Sequence, residues 1–99
     1  MNQTLFKNIN ADDISSSFTA NGGIYTVNVR ADNFGGGTVL IQTASKNDPN
    51  GTPRYSTLVN GSFTVNGSIA LDPLAPGTLV RAVLQGSSSP SNVFVEIIQ

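Results

Sequence analysis

The chain has no cysteine, no histidine and no tryptophan, and a single methionine. Without cysteine there is no disulfide framework and no thiolate metal site. Without histidine there is no imidazole base, no charge switch near neutral pH and no commonest metal ligand. Lysine and arginine together number only 5, against 6 acids, for a net charge of −1. A nucleic-acid binder carries a basic patch or stripe, so no nucleic-acid partner is expected. No apolar run reaches the length that crosses a bilayer, so no membrane partner is expected either. The first residues, MNQTLFKNINADD, lack the apolar core of a secretory signal.

Charged residues make up 11% of the chain, where about 25% is usual. Asn, Ser, Thr and Gly fill that gap, at 41 of 99 residues. The solvent face is therefore built from neutral amides and hydroxyls. These residues suit turns and strand faces and are poor in helix interiors. Either the chain is kept in the cytosol or it leaves by a route that needs no signal; a virion protein, made in a host cytoplasm and working outside the cell, would satisfy both.

The most informative stretch is Gly23 to Ala44, GIYTVNVRADNFGGGTVLIQTA. Tyr25, Val27, Val29 and Ala31 alternate with Thr26, Asn28 and Arg30, the period of a half-buried strand. Asp32 to Gly37 reads as a turn, and Val39 and Ile41 are the inward residues of a second strand. The pair is expected to form a β-hairpin with one face in a core. Three successive glycines permit backbone conformations closed to other residues and a close approach by neighbouring chain. A phosphate-cradling reading fails because neither a lysine nor a helix follows.

Elsewhere the same grammar repeats. Asp13 to Ala20 is a weak first strand, rich in serine. Asn21-Gly22-Gly23, Asn60-Gly61, Asn66-Gly67 and Pro76-Gly77 are turn signals. The Asn-Gly steps are expected to punctuate a meander of short strands, Tyr55–Val59, Ser62–Val65 and Ser68–Leu71, with Phe63 and Val65 on one face. Asp48-Pro49-Asn50-Gly51 reads as a β-turn; a calcium loop there lacks the signature spacing and the closing glutamate. Thr78 to Gln85 is nearly continuously apolar and should be a central strand covered on both faces. Val93, Val95 and Ile97 point inward in the last strand.

The expected fold is all-β, an antiparallel β-sandwich, jelly-roll or Ig-like, of seven or eight short strands. Residues 1–13 are read as an N-terminal arm or short edge strand anchored by Leu5, Phe6 and Ile9. Residues 14–99 are read as one sandwich domain.

Chemistry-bearing groups are sparse. Asp12 and Asp13 are adjacent, so on a strand they point to opposite sides and make a poor acid/base pair. Glycoside hydrolysis needs two carboxyls across a cleft; Asp32, Asp48, Asp72 and Glu96 are candidates in principle, but five of the six acids lie at turns or in the tail. No catalytic residue, metal ligand or cofactor is expected. Four sequons, at Asn2, Asn50, Asn60 and Asn66, are read as turn residues without glycan. Tyr25, Tyr55, Phe34 and Phe63 are expected in the core, with Phe34 either capping the sandwich end or inserting into a partner. Arg30, Arg54 and Arg81 either lie on solvated faces or pair with a neighbouring subunit's carboxylates. Leu40, Leu79, Val83, Phe94 and Ile98 are the apolar residues on outward positions; with Phe34 and Arg81 they are the candidate partner contacts.

The strings GIYTVNVRADNFGGGTVLIQTAS, FTVNG, LAPGTLVRAVLQG and VFVEI resemble small all-β head decoration (cement) proteins of tailed bacteriophages and related virion components. The matching residues are Gly23, Tyr25, Val27, Ala31, Gly35, Gly36, Gly37, Val39, Gln42, Tyr55, Asn66, Gly67, Pro76, Gly77, Arg81, Ala82, Val83 and Gly86. The aromatic-strand position, often tryptophan in that pattern, is Tyr55 here. The resemblance implies a non-enzymatic virion structural protein that binds and stabilises a tailed-phage capsid. Its partners would be the major capsid protein and further copies of itself on the lattice, and its location the capsid surface. The alternative is a carbohydrate-binding or adhesin module on a phage fibre or cell surface. That reading predicts a shallow aromatic-lined groove with amides and carboxylates at its rim.

Overall fold

A computed structural model describes residues 2–45, 53–71 and 74–99. Nine antiparallel strands form two sheets and there is no helix among the described residues. The strands are β1 (Asn2–Ile9), β2 (Asp13–Ile14), β3 (Phe18–Thr19), β4 (Thr26–Arg30), β5 (Thr38–Ser45), β6 (Ser56–Phe63), β7 (Gly67–Ala70), β8 (Thr78–Gln85) and β9 (Val93–Ile98). Sheet A has the order β1-β9-β4-β7; sheet B has the order β2-β8-β5-β6, with β3 also on the free edge of β8.

The chain is a β-sandwich, and its connectivity selects one of the two expected types. β2 and β3 lie along one edge as a single interrupted strand, which makes eight. Apart from that break and the β5–β6 link, every connection passes from one sheet to the other. This is the eight-stranded jelly roll.

The Gly23–Ala44 hairpin is therefore corrected. β4 pairs with β9 and β7, and β5 pairs with β8 and β6. The glycine turn between them carries the chain across the sandwich. It is still a tight turn: Gly35 and Gly36 have φ of 63° and 74°, and Gly37 N–H donates to the Phe34 carbonyl at 3.0 Å. Two successive left-handed residues give a type I′ turn. The Gly35 carbonyl also accepts the Ser88 amide at 2.8 Å. A Cβ at Gly35 would lie 2.5 Å from the Ser88 oxygen, so the close backbone approach requires glycine.

The Asn-Gly meander is corrected as well. Asn60-Gly61 lies inside β6, where the step from Leu40 to Gln42 on β5 is matched by the longer step from Ser62 to Thr57. Asn60 takes φ of 62° there, so the pair makes a bulge rather than a turn. After Phe63 the chain leaves sheet B for sheet A, so Val65 does not share Phe63's inward position. It is 69% exposed.

Two inner faces make the core. Sheet A contributes Phe6, Val93, Val95, Ile97, Val27 and Val29; sheet B contributes Val39, Ile41, Phe63, Val80, Ala82 and Leu84. All are buried, and each fully buried aliphatic side chain contributes about 1.5–3 kcal/mol. The segment read as an arm supplies the edge strand β1, with Phe6 in that core. Tyr25 closes one end: its ring centroid is 6.1 Å from that of Phe18, and its hydroxyl accepts the Asn21 amide at 2.9 Å. Phe34, half-buried against the core, closes the other end.

Serine explains the break in the first sheet B edge. The Ala82 amide donates to Ser15 Oγ at 2.8 Å, where a continuous strand would present a carbonyl. That hydroxyl in turn donates to the Ser16 carbonyl at 2.9 Å. A side chain has replaced a backbone group in the ladder.

Candidate attachment face

The residues that point away from the core fall on two opposite surfaces, and cross-strand register says which belong together. On sheet B, Ile14 stands opposite Val83, and Val83 opposite Leu40. These three form an apolar row over β2, β8 and β5, with Ile14 exposed, Leu40 half-buried and Val83 buried between them. One step along, Arg81 stands opposite Gln42 and Gln42 opposite Thr57. A further step places Leu79 opposite Ala44. The face thus carries two apolar rows with a polar row between them.

Arg81 is fixed in that middle row. Its Nε donates to Gln42 Oε1 at 2.9 Å, and Gln42 Nε2 donates to Thr57 Oγ1 at 3.3 Å. The guanidinium carbon lies 3.8 Å from the Tyr55 ring centroid. The charge is thereby held flat on the sheet by a cation–π contact and one hydrogen bond, with its stem between the apolar rows. Tyr55 is not in the core, contrary to expectation. It is half-buried on the outside, because it precedes β6 and its ring is taken up by Arg81.

The β2 margin adds Ile14, 55% exposed, above a shallow depression of about 470 Å³ lined also by Val83, Asp12 and Asp13. Asp12 is structural. Its carboxylate accepts the Gly86 and Ser87 amides, each at 3.1 Å, and the Ser87 hydroxyl. The Ser87 hydroxyl, with help from the two amides, holds this carboxyl below the ordinary aspartate range. It ties the β1–β2 link to the β8–β9 loop.

Of the seven candidate contact residues, Leu40, Leu79, Arg81 and Val83 come together on sheet B. Phe94 and Ile98 lie on the outer face of sheet A, opposite Arg30 and Thr26. Phe34 is at the sandwich end. One partner surface cannot use all seven. Sequence reasoning missed Ile14, Gln42 and Tyr55. Alternation along each strand marks outward residues, but only the pairing of β2, β5 and β6 around β8 assembles them.

The remaining carboxylates of the described strands and loops are engaged singly. Asp32 accepts from Asn92 at 2.7 Å and Glu96 from Asn28 at 3.1 Å. Among the described residues no three His, Cys, Asp or Glu side chains are grouped closely enough to hold a metal ion. The Asp48–Gly51 turn and Asp72 lie outside the described residues. No protein-family model, curated protein or solved structure matches the chain.

Proposed function

We propose that this chain is a non-enzymatic virion structural protein that attaches to an assembled tailed-phage capsid through the outer face of sheet B. The observation that carries the reading is the joining of Ile14, Val83 and Leu40 into one apolar row, beside a pre-positioned Arg81. Such a face buries surface on docking with little loss of side-chain entropy, since strand register and Tyr55 already hold it. It has an arginine and an aromatic at its centre, the residue types that dominate interface energetics. Jelly rolls are common in viral capsid proteins, which supports the reading by fold analogy only. A decoration protein acts by burial between capsid subunits and requires no reactive group. With few charges on the face, attachment should weaken little as salt rises.

The test is the copy number of the chain in purified virions of the phage that encodes it, by quantitative mass spectrometry against the major capsid protein. One copy per capsid subunit, or a simple fraction of that, is the expected result. A few copies per particle would move the protein to a tail or fibre, and absence from the virion would overturn the proposal.

A further inference from the structure

We infer a second, separate binding site: a polar groove across the outer face of sheet A, shaped for a neutral oligosaccharide. Two adjoining depressions, of about 420 and 280 Å³, share Arg30 and Asn66 as lining. The larger continues over Asp32, Asn92 and Phe94 to Asn8 on β1. The smaller continues over Asn28 to Ser68 on β7. The groove therefore crosses all four strands of the sheet, running over their ends rather than along an edge. That excludes recognition by strand addition, which needs a free edge.

The side chains in it are held in place and still offer hydrogen-bonding atoms. Asn66 Oδ1 accepts the Ala31 amide at 2.8 Å, so its NH₂ donors are left for a ligand. Asn92 donates to one Asp32 oxygen at 2.7 Å, leaving the other Asp32 oxygen and the Asn92 carbonyl as acceptors. Asn28 donates to Glu96 at 3.1 Å, leaving its own carbonyl and a Glu96 oxygen. The groove thus offers donors at Asn66 among acceptors at Asp32, Asn92 and Asn28, a mixture that a hydroxyl, itself donor and acceptor, can satisfy. Phe94 stands beside Arg30 in register and is half-buried. It supplies an apolar face for the C–H side of a sugar ring.

Charge selects among sugars. Arg30 and Asp32 are the charged residues that line the two depressions, one of each sign, so the lining carries no net charge. A sialylated, uronate-bearing or phosphorylated ligand would gain no net attraction from this lining and would meet the Asp32 carboxylate. A neutral oligosaccharide meets none of that repulsion. This site does not depend on capsid attachment, which uses the opposite sheet.

The test is titration of the ¹⁵N-labelled full chain with a panel of neutral oligosaccharides (glucans, mannans, galactans and N-acetylglucosamine oligomers), beside sialylated and uronate-bearing members. The expected result is saturable shifts at residues 28–32, 66–68 and 92–94 with at least one neutral member. Phe94→Ala should weaken that binding at least tenfold. Asn66→Asp, which retains the acceptor for Ala31 and removes the donors, should do the same with the fold intact. No saturable binding at millimolar sugar would overturn the inference. So would shifts confined to sheet B, binding only to acidic members, or affinity unchanged in both variants.

Discussion

The outer faces of the two sheets are built on the same plan and differ in their central rows. On sheet B the outward positions around β8 are Ile14, Val83, Leu40, Leu79 and Ala44, with Arg81 laid over Tyr55. On sheet A the outward row over β1, β9, β4 and β7 is Thr4, Glu96, Asn28 and Ser68. Behind both faces lies one apolar core, mostly Val and Ile with Phe6, Phe63, Ala82 and Leu84. The core therefore tolerates either exterior, and the choice of outward residue is free to serve binding. A dry row with one fixed cation suits burial against protein. A row of amides and carboxylates suits a hydroxylated ligand, because desolvating such groups is costly unless each finds a partner.

The difference collapses where the two faces share a part. The Phe34–Gly37 turn links β4 of sheet A to β5 of sheet B, and its contact with Ser88 allows no side chain. Gly35→Ala should lose roughly 2–4 kcal/mol, from the left-handed backbone and the overlap with the Ser88 oxygen. Urea denaturation would show it as a lower midpoint with an unchanged slope. A stability within 0.5 kcal/mol of wild type, an order-of-magnitude bound for a neutral site, would mean the turn is not held as described.

A matched charge separates the faces. Leu40→Asp should weaken capsid attachment about 100-fold, equivalent to roughly 2.7 kcal/mol. Thr26→Asp, on the outer face of sheet A, should leave it unchanged. Co-sedimentation with particles lacking the protein reads both, and circular dichroism checks folding. Equal losses in the two variants would remove the distinction between the faces.

Truncation gives a smaller contrast in stability. Arg81→Ala removes the Tyr55 contact and the bond to Gln42 and should cost about 1 kcal/mol. Asn28→Ala on sheet A removes one hydrogen bond between half-buried partners and should cost about 0.5 kcal/mol. The order of the two unfolding midpoints is the check.

The smallest effect is in acid. Asp12 has its carboxyl lowered from an ordinary value of 3.8 by the bonds from Ser87 and Gly86. Its contribution to stability is fully present above that value and is lost as pH falls through the depressed folded one. Asp12→Asn should therefore flatten the stability profile below about pH 4 and leave its shape near neutral pH unchanged. Unfolding midpoints between pH 2.5 and 7, a range set by ordinary carboxylate titration, would decide it. An unaltered acid limb would show that the clamp contributes nothing.

Much of this protein was written in local sequence. The strands β4, β5, β8 and β9, inward residues such as Val27, Val29, Val93 and Val95, and the central place of β8 follow from period-two alternation and continuous apolarity. Each is a property of neighbours in the chain. The Pro76-Gly77 turn was legible for the same reason: Gly77 takes φ of 91° and Thr78 N–H donates to the Ala75 carbonyl at 3.1 Å. What tertiary structure decided was which strands are partners. Glycine turns permit either a hairpin or a crossover, and Asn-Gly permits a turn or a bulge. The Gly35–Gly37 run became a crossover because β9 and β8, distant in sequence, pair with β4 and β5; Asn60-Gly61 became a bulge because β6 stays paired with β5 on both sides of it. The exteriors followed from that pairing. Leu40, Val83 and Ile14 become one surface, and Asn28, Asn66 and Asn92 another, only after strands far apart in sequence are brought side by side.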